Sequence, residues 1–317
     1  MGTEPQKWPN ALLEEVACPL CGPSRTRTLF VARDRLLGGP GAFPVTRCLC
    51  CGMVYLNPRP TAGALGAYYP DVYYPLKEEP DPTALAIARG LCTRVAGWVE
   101  RADASNPSVL DIGCGTGLFL REARERGWTV EGIELSASAA AYARERFGLP
   151  VRQGTLAQTT LPNGAFDVIT MWHVLEHLPD PLATLRQVQG ALRPGGLLLL
   201  AVPNVASLEA RLFGRRWYSL DAPRHLYHFS PATVEAALRR AGLRPERIVH
   251  SAGTAGLVYS LMGDLTGVSL KLRRRPLSAP AYRRAARALS LPAAPLCALA
   301  ARAGRGGALE IYAINPD

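Results

Sequence analysis

One run of nine residues constrains this chain more than any other: Val109-Leu110-Asp111-Ile112-Gly113-Cys114-Gly115-Thr116-Gly117. An apolar stretch runs straight into glycines, and the residues after them repeat apolar side chains at helical spacing. The segment therefore reads as a strand, a tight turn and a helix. Glycine lets the backbone turn with positive φ and lets a ligand approach the main chain, while the helix start offers unpaired amide donors. In a dinucleotide fingerprint the last two glycines are three apart, because the pyrophosphate sits on the helix N-terminus. Gly115 and Gly117 are two apart, which argues against a nicotinamide or flavin dinucleotide.

The rest of the chain repeats the strand–helix alternation. Residues 108–112, 128–134, 165–171 and 196–202 read as strands, and 117–126, 137–147 and 181–192 as amphipathic helices. Ser230-Pro231 opens a further helix that Gly242 closes. Two late strands, near 244–250 and 308–314, would complete seven. Such alternation predicts a doubly wound α/β sheet, Rossmann-like, with helices on both faces.

Four motifs in order carry a resemblance over residues 108–204. They are the glycine loop, Glu134 at the end of the second strand, Phe166-Asp167-Val168-Ile169 with Val174-Leu175-Glu176-His177, and Leu192-Arg193-Pro194-Gly195-Gly196. Together they resemble class I S-adenosylmethionine (SAM) dependent methyltransferases. The resemblance implies that Asp111, Gly113, Gly115 and Gly117 hold the methionine end of SAM and that Glu134 binds the ribose hydroxyls, since one carboxylate can accept two hydrogen bonds. It implies further that Trp172 and His173 line the cofactor. After the third strand the family often has an acid at the adenine; here Gly154-Thr155-Leu156 supplies none, so Thr155, Leu156 or nearby backbone is assigned that contact.

Cys18-Pro19-Leu20-Cys21-Gly22 and Cys48-Leu49-Cys50-Cys51-Gly52 are two Cys-x-x-Cys-Gly knuckles separated by a run that can form a short hairpin. Cys18, Cys21, Cys48 and Cys51 have the spacing of a tetrahedral zinc site, which four sulfurs would make structural. Cys50 is left as a bystander. Redox pairs or disulfides are the alternative, disfavoured in a reducing compartment. The expected organisation is a zinc-ribbon-like module at 1–60, and a connector with Tyr68, Tyr69, Tyr73 and Tyr74 plus a lid helix at 61–107. The SAM-binding domain follows at 108–317, with a basic, apolar insertion at about 252–306. A similar cysteine module followed by Gly52-Met53-Val54-Tyr55-Leu56-Asn57-Pro58-Arg59-Pro60 occurs in bacterial enzymes of sugar, polysaccharide and natural-product pathways. One subgroup, the sugar C-methyltransferases, adds a large C-terminal domain that this sequence does not reach, which argues against an expectation of sugar C-methylation.

Methyl transfer to a hydroxyl needs its proton removed, and histidine is the natural base near neutral pH. The chain has five histidines. His177 follows the fourth strand, and His225 and His228 lie in Arg224-His225-Leu226-Tyr227-His228-Phe229-Ser230, in the connection that roofs the pocket in this class. These three are the candidate catalytic residues; capping and carbonyl-satisfying roles are the competing assignment for each. His173-Val174-Leu175-Glu176-His177 formally matches an inverted zinc-protease motif, but Pro179 and Pro181 leave no long helix to display metal ligands.

The expected activity is methyl transfer from SAM to a small-molecule, saccharide or lipid-linked acceptor. The charge of +10 is concentrated between Arg244 and Arg305, with ten Arg and one Lys against Glu246 and Asp264. It motivates a competing nucleic-acid methyltransferase reading and a peripheral membrane contact. The motif that amino-methylating DNA enzymes place after the fourth strand is missing, and the cysteine pairs lack flanking basic clusters, so nucleic acid is the weaker partner. A non-catalytic scaffold is the third reading; retained Asp111 and glycines oppose it. Polar, proline-punctuated residues 1–15 and apolar runs shorter than the roughly 20 residues of a membrane span lead to a cytoplasmic expectation.

Overall fold

The computed structural model describes residues 12–69, 82–101, 106–265 and 279–316. Tyr73, Tyr74 and the basic run Arg273, Arg274 and Arg275 lie outside the described residues. The N-terminal part is built from β1 (Leu13–Glu14), β2 (Thr26–Ala32), β3 (Phe43–Cys48), β4 (Val54–Leu56), β5 (Arg59–Pro60) and α1 (Ala62–Leu65). The cysteine pairs flank β2 and β3, which form the expected hairpin. Helix α2 (Pro82–Arg101) then leads into the large domain.

That domain contains β6 (Ser108–Ile112), α3 (Leu118–Arg124), β7 (Thr129–Glu134), α4 (Ala137–Phe147), β8 (Val151–Gln153), β9 (Phe166–Trp172), α5 (Pro181–Ala191) and β10 (Leu192–Pro203). It continues through α6 (Leu208–Phe213), β11 (Tyr227–His228), α7 (Pro231–Arg240), β12 (Arg244–His250), α8 (Ala255–Leu265), α9 (Ala279–Arg302) and β13 (Ala308–Ile314). The helices start where side chains can satisfy free amides: Ser136 caps α4, Asp180 caps α5 ahead of Pro181, and Ser230 with Thr233 forms a capping box on α7.

Seven strands pair in the order β12-β13-β10-β9-β6-β7-β8, with β13 antiparallel to both neighbours and β6–β10 parallel. Alternate residues of one strand enter different cores. Val109, Val168, Leu197 and Leu199 pack with Leu91, Val95 and Leu120 under α2 and α3. Leu110, Ile169, Leu198 and Leu200 pack on the opposite face. The sheet is thus buried on both sides, and each fully buried leucine there stabilises the fold by about 1.5–3 kcal/mol. Strand order reverses between β6 and β9, and in doubly wound sheets ligands bind outside the carboxyl ends of the strands at that reversal.

The N-terminal module is joined to this domain through its backbone. Strand β11, from the segment between α6 and α7, pairs with β4 and completes a four-stranded sheet, β11-β4-β3-β2. Phe43, Tyr55 and Met53 belong to the same core as Leu110 and Leu200. The insertion forms α8 and α9, which pack through Val258, Met262, Ala286 and Ala293.

Candidate active site

A cavity of about 1110 Å3 opens at the strand reversal. Gly113, Gly115, Glu134, Leu135, Trp172 and His173 line one end, and His177, His225, Tyr218, Asp221 and Glu209 line the other. A face of α2, with Thr83, Ala86, Ile87, Gly90 and Arg94, covers it. The volume suits a nucleoside-sized donor together with a small acceptor.

The glycine loop shows why glycine is required. Gly113 has φ 73°, and a Cβ on it would stand 2.4 Å from Val174 Cγ2. Gly115 has φ 55° and open space where a Cβ would go. A side chain there would project into the cavity. Gly117 serves packing instead, because its Cβ would meet Leu149 Cδ1 at 2.6 Å, and it does not line the cavity.

Glu134 accepts hydrogen bonds from the Gly115 amide (2.8 Å) and the Ser136 amide (2.7 Å), which hold its carboxylate between the loop and the start of α4. Burial pushes its pKa up despite these bonds. Asp111 lies beneath the loop, outside the cavity wall, where its Oδ1 accepts from the Thr170 hydroxyl at 2.6 Å. Burial raises its pKa to about 7. A loop open at Gly115, a fixed carboxylate one strand later and a second acid below fit the cationic amino-acid and ribose parts of SAM.

Thr155 and Leu156 do not reach the cavity lining. The Thr155 hydroxyl and amide are both turned to Gln158 Oε1, closing a 3-10 turn, and Leu156 is buried in the core. Local capping consumes the polar groups expected at the adenine.

At the other end, His177 and His225 stack edge to face with centroids 4.5 Å apart. His177 Nδ1 lies 3.1 Å from the Arg224 carbonyl and 2.8 Å from the Tyr69 hydroxyl; His225 Nδ1 lies 2.8 Å from the Ser219 carbonyl. A carbonyl only accepts, so His225 Nδ1 carries the hydrogen and its Nε2 keeps the lone pair, whereas His177 Nδ1 faces both the Arg224 carbonyl and the Tyr69 hydroxyl, which can donate to it. Burial and the neighbouring His225 lower the His177 pKa to about 4, which keeps that ring neutral. Glu176 is fully buried between them. Burial opposes its ionisation, but the His173 hydrogen bond (3.2 Å) and the surrounding imidazoles hold its pKa down at about 2. His225 Nε2 lies 4.0 Å from both Glu176 Oε1 and Asp221 Oδ2. His173, which leads into this turn, has φ 58°, an uncommon backbone for a non-glycine residue and a mark of constraint at a site.

His228 lies behind this pair, its ring centroid 6.5 Å from that of His225. It is buried on β11, neither ring nitrogen has a hydrogen-bond partner, and it does not line the cavity. Burial lowers its pKa to about 3. Tyr227 and His228 are committed to pairing with β4, and the His228 ring packs against His225 without reaching the cavity wall.

Arg224 fixes the histidine segment. Its guanidinium is 0% exposed and donates to both Asp34 oxygens (2.7 and 3.0 Å) and to Asp221 (2.5 to 3.1 Å). Asp34 sits in the β2–β3 loop, which it shapes by accepting from the Leu36, Leu37 and Gly39 amides. The Leu226 amide donates to the Glu176 carbonyl, and the Leu226 carbonyl accepts from the Leu56 amide. Several cavity residues escaped sequence reasoning. Arg94, ion-paired to Glu310 (3.2 Å) and stacked on Trp172 (5.4 Å), is one; Glu209 and Glu310 are others. Each arrives from a distant stretch without a local motif, although Arg94 shares a helical face with Ala86, Ile87 and Gly90.

The four module cysteines converge as their spacing predicts. The Cys18, Cys21, Cys48 and Cys51 sulfurs lie within 4.8 Å of one another, with Cys18 and Cys51 at 3.5 Å. Sulfurs around a tetrahedral zinc are about 3.8 Å apart, given Zn–S bonds of about 2.3 Å. Gly22 and Gly52 follow each pair with φ 69° and 78°, and their amides return to the Cys18 and Cys48 carbonyls. Cys50 is exposed and outside the cluster.

Comparison with known proteins gives a consistent picture. Residues 87–248 match a family model described as a methyltransferase domain. A ubiquinone biosynthesis O-methyltransferase of Pseudomonas aeruginosa (strain LESB58) is 33% identical over 178 residues, covering 51% of this chain and 73% of that protein. A malonyl-[acyl-carrier protein] O-methyltransferase of Serratia marcescens is 33% identical over 187 residues, covering 57% and 71%. Among solved structures, a SAM-dependent methyltransferase from Mesorhizobium loti superposes with TM-score 0.44 at 21% identity, covering 66% of this chain and 91% of that one. The [4+2]-cyclase SpnF superposes with TM-score 0.49 at 21% identity, covering 72% and 80%. The seven-stranded sheet, the glycine cradle with its acid and the family match together make this chain a member of the class I SAM-dependent methyltransferases.

Proposed function

We propose that the protein methylates a hydroxyl oxygen of a small-molecule acceptor, of saccharide or lipid-linked type, with His225 as general base and His177 beside it. The observation that carries this reading is the His225 imidazole, whose Nδ1–H is tied to the Ser219 carbonyl while its ring lines the cavity edge to face with His177. When bound, SAM supplies a methyl on sulfonium, which is already electrophilic. What the chain must add is orientation and proton removal. His225 Nε2 takes the hydroxyl proton, and the resulting imidazolium is stabilised by the Glu176 and Asp221 carboxylates, each 4.0 Å away. Glu134 and the loop at Gly113 and Gly115 hold the donor, with Trp172 and His173 lining the same end. The relatives named as O-methyltransferases favour oxygen as the acceptor atom.

Release of S-adenosylhomocysteine from a panel of phenolic, saccharide and acyl-carrier-linked hydroxyl acceptors tests the assignment. His225→Ala should lower the rate on the order of 100-fold or more with donor affinity unchanged. A variant within a few-fold of wild type would remove His225 from the chemistry.

The four cysteines are proposed to hold a structural zinc, supported by their mutual distances and the paired knuckle turns. One observation favours a lipid-linked acceptor: on α9, Leu291 and Leu299 are 79% and 60% exposed beside arginines 284, 287 and 302. Such a face suits an anionic bilayer surface. Among the described residues no helix is long and apolar enough to cross a membrane. Co-sedimentation with phosphatidylglycerol vesicles, lost in Leu291→Asp/Leu299→Asp, tests that contact.

A further inference from the structure

The turn at Glu176 and the Arg224-His225 segment bring together a second set of metal-binding side chains, separate from the cysteines. Ligand atoms of Glu176, His177 and His225 lie within 4.8 Å of one another at the cavity wall. His225 is already in the form a metal needs. It donates Nδ1–H to the Ser219 carbonyl, which orients the ring and leaves the Nε2 lone pair for a ligand bond, while His177 Nδ1 is shared between the Arg224 carbonyl and the Tyr69 hydroxyl. Glu176 is fully buried, and its Oε2 has no hydrogen-bond partner, although buried carboxylate oxygens are nearly always satisfied. His173 Nδ1–H donates to Oε1 (3.2 Å) and so holds the carboxylate in place.

Two imidazoles and one carboxylate form a donor set for a borderline divalent cation, and an ion bound there would keep an open position facing the cavity. Zinc bonds of about 2.0–2.2 Å would require the three donors to close in by roughly 1 Å. His225 and His177 border the cavity, which leaves room for that adjustment.

We propose that Glu176, His177 and His225 form a second metal site that takes one Zn2+ and that its occupation blocks methyl transfer. The binding half stands on geometry alone. The inhibitory half rests on the assignment of His225 as base: a lone pair donated to zinc cannot also accept the proton of a hydroxyl. The protein would then be active with zinc at the cysteines and inhibited when a second ion enters the cavity.

Equilibrium dialysis of the full chain against micromolar Zn2+, with elemental analysis, tests the binding half. Two equivalents are expected, the weaker one lost in His225→Ala and in Glu176→Gln while the cysteine-bound equivalent stays. A single equivalent in the wild type, or a second one indifferent to both variants, overturns the site. Co2+ added to wild-type protein already holding zinc gives a readout independent of variant folding. Visible bands without sulfur-to-metal charge transfer are expected, and bands with that transfer would place the ion at thiolates and refute the proposal. For the inhibitory half, added Zn2+ should suppress S-adenosylhomocysteine release and EDTA should restore it; stimulation by Zn2+ would overturn it. Failure of the base assignment would appear separately, as an active His225→Ala enzyme.

Discussion

Replacing Asp34 by Asn tests whether the cysteine module positions the histidines. Arg224 is 0% exposed and pairs with both Asp34 and Asp221, so Asp34→Asn removes one of two countercharges from a buried cation. Breaking a buried pair by removing one partner typically costs about 3–5 kcal/mol, because the surviving charge is left uncompensated. Asp221 remains, and the asparagine oxygen can still accept one bond from the loop amides, so the low end, about 3 kcal/mol, is expected. That is a change of about 150-fold in the folding equilibrium. Urea unfolding of the full chain should report it as a lower midpoint with an unchanged slope.

The pH dependence has a fixed sign. Burial raises the Asp34 pKa, but the Arg224 hydrogen bonds and charge outweigh it, and the net shift is downward. A carboxylate with a lowered folded-state pKa stabilises the protein fully above its unfolded value, about 3.9, and loses that contribution as pH falls through the folded value. The gap between wild type and Asp34→Asn should be constant above about pH 5 and shrink below about pH 4. A loss under about 1 kcal/mol, or a gap that widens in acid, would refute the reasoning. Because the Arg224 carbonyl holds His177 Nδ1, the variant should also lower kcat more than it raises the SAM KM.

Gly113→Ala should weaken S-adenosylhomocysteine binding at least about 10-fold by calorimetry, since the new Cβ needs the space of Val174 Cγ2 in a backbone with φ 73° that disfavours any side chain. If the cysteines hold the proposed zinc, Cys48→Ser should lower the zinc content seen by elemental analysis and reduce the melting temperature by several degrees or more. His228→Leu removes two nitrogens that have no partner in the core, so stability should hold or rise and methyl transfer should stay within a few-fold of wild type. A loss of rate matching that of His225→Ala would return His228 to the chemistry.

The parts legible in the sequence are those whose cause is local. The glycine spacing, the Ser136 and Ser230 caps, the Pro181 and Pro231 starts and the double-sided apolar strands all act within a few residues of where they are written. The cysteine knuckles are equally local, and their convergence follows from a hairpin between them. The pairing of His225 with His177 at the cavity, with His228 behind them, depended on where β11 docks, which Tyr227 and His228 do not announce. Asp34 and Arg224 are 190 residues apart, so nothing short-range could link them. Thr155 looked available for adenine, but Gln158, three residues on, draws its hydroxyl into a turn. Buried Glu209, bonded to Trp217 at 3.1 Å, follows an ordinary Ser207 cap and had no distinguishing pattern.

The shared sheet of β11 and β4 has a practical meaning for anyone trimming or shuffling this scaffold. Cutting near residue 60 to obtain a minimal catalytic fragment would strip a neighbour from the strand that carries the pocket's roof, leaving an open edge and an unmoored Arg224. A graft that exchanges acceptor preference between relatives must therefore carry both pieces, the hairpin from the chain's beginning and the segment around residue 225, as a single cassette.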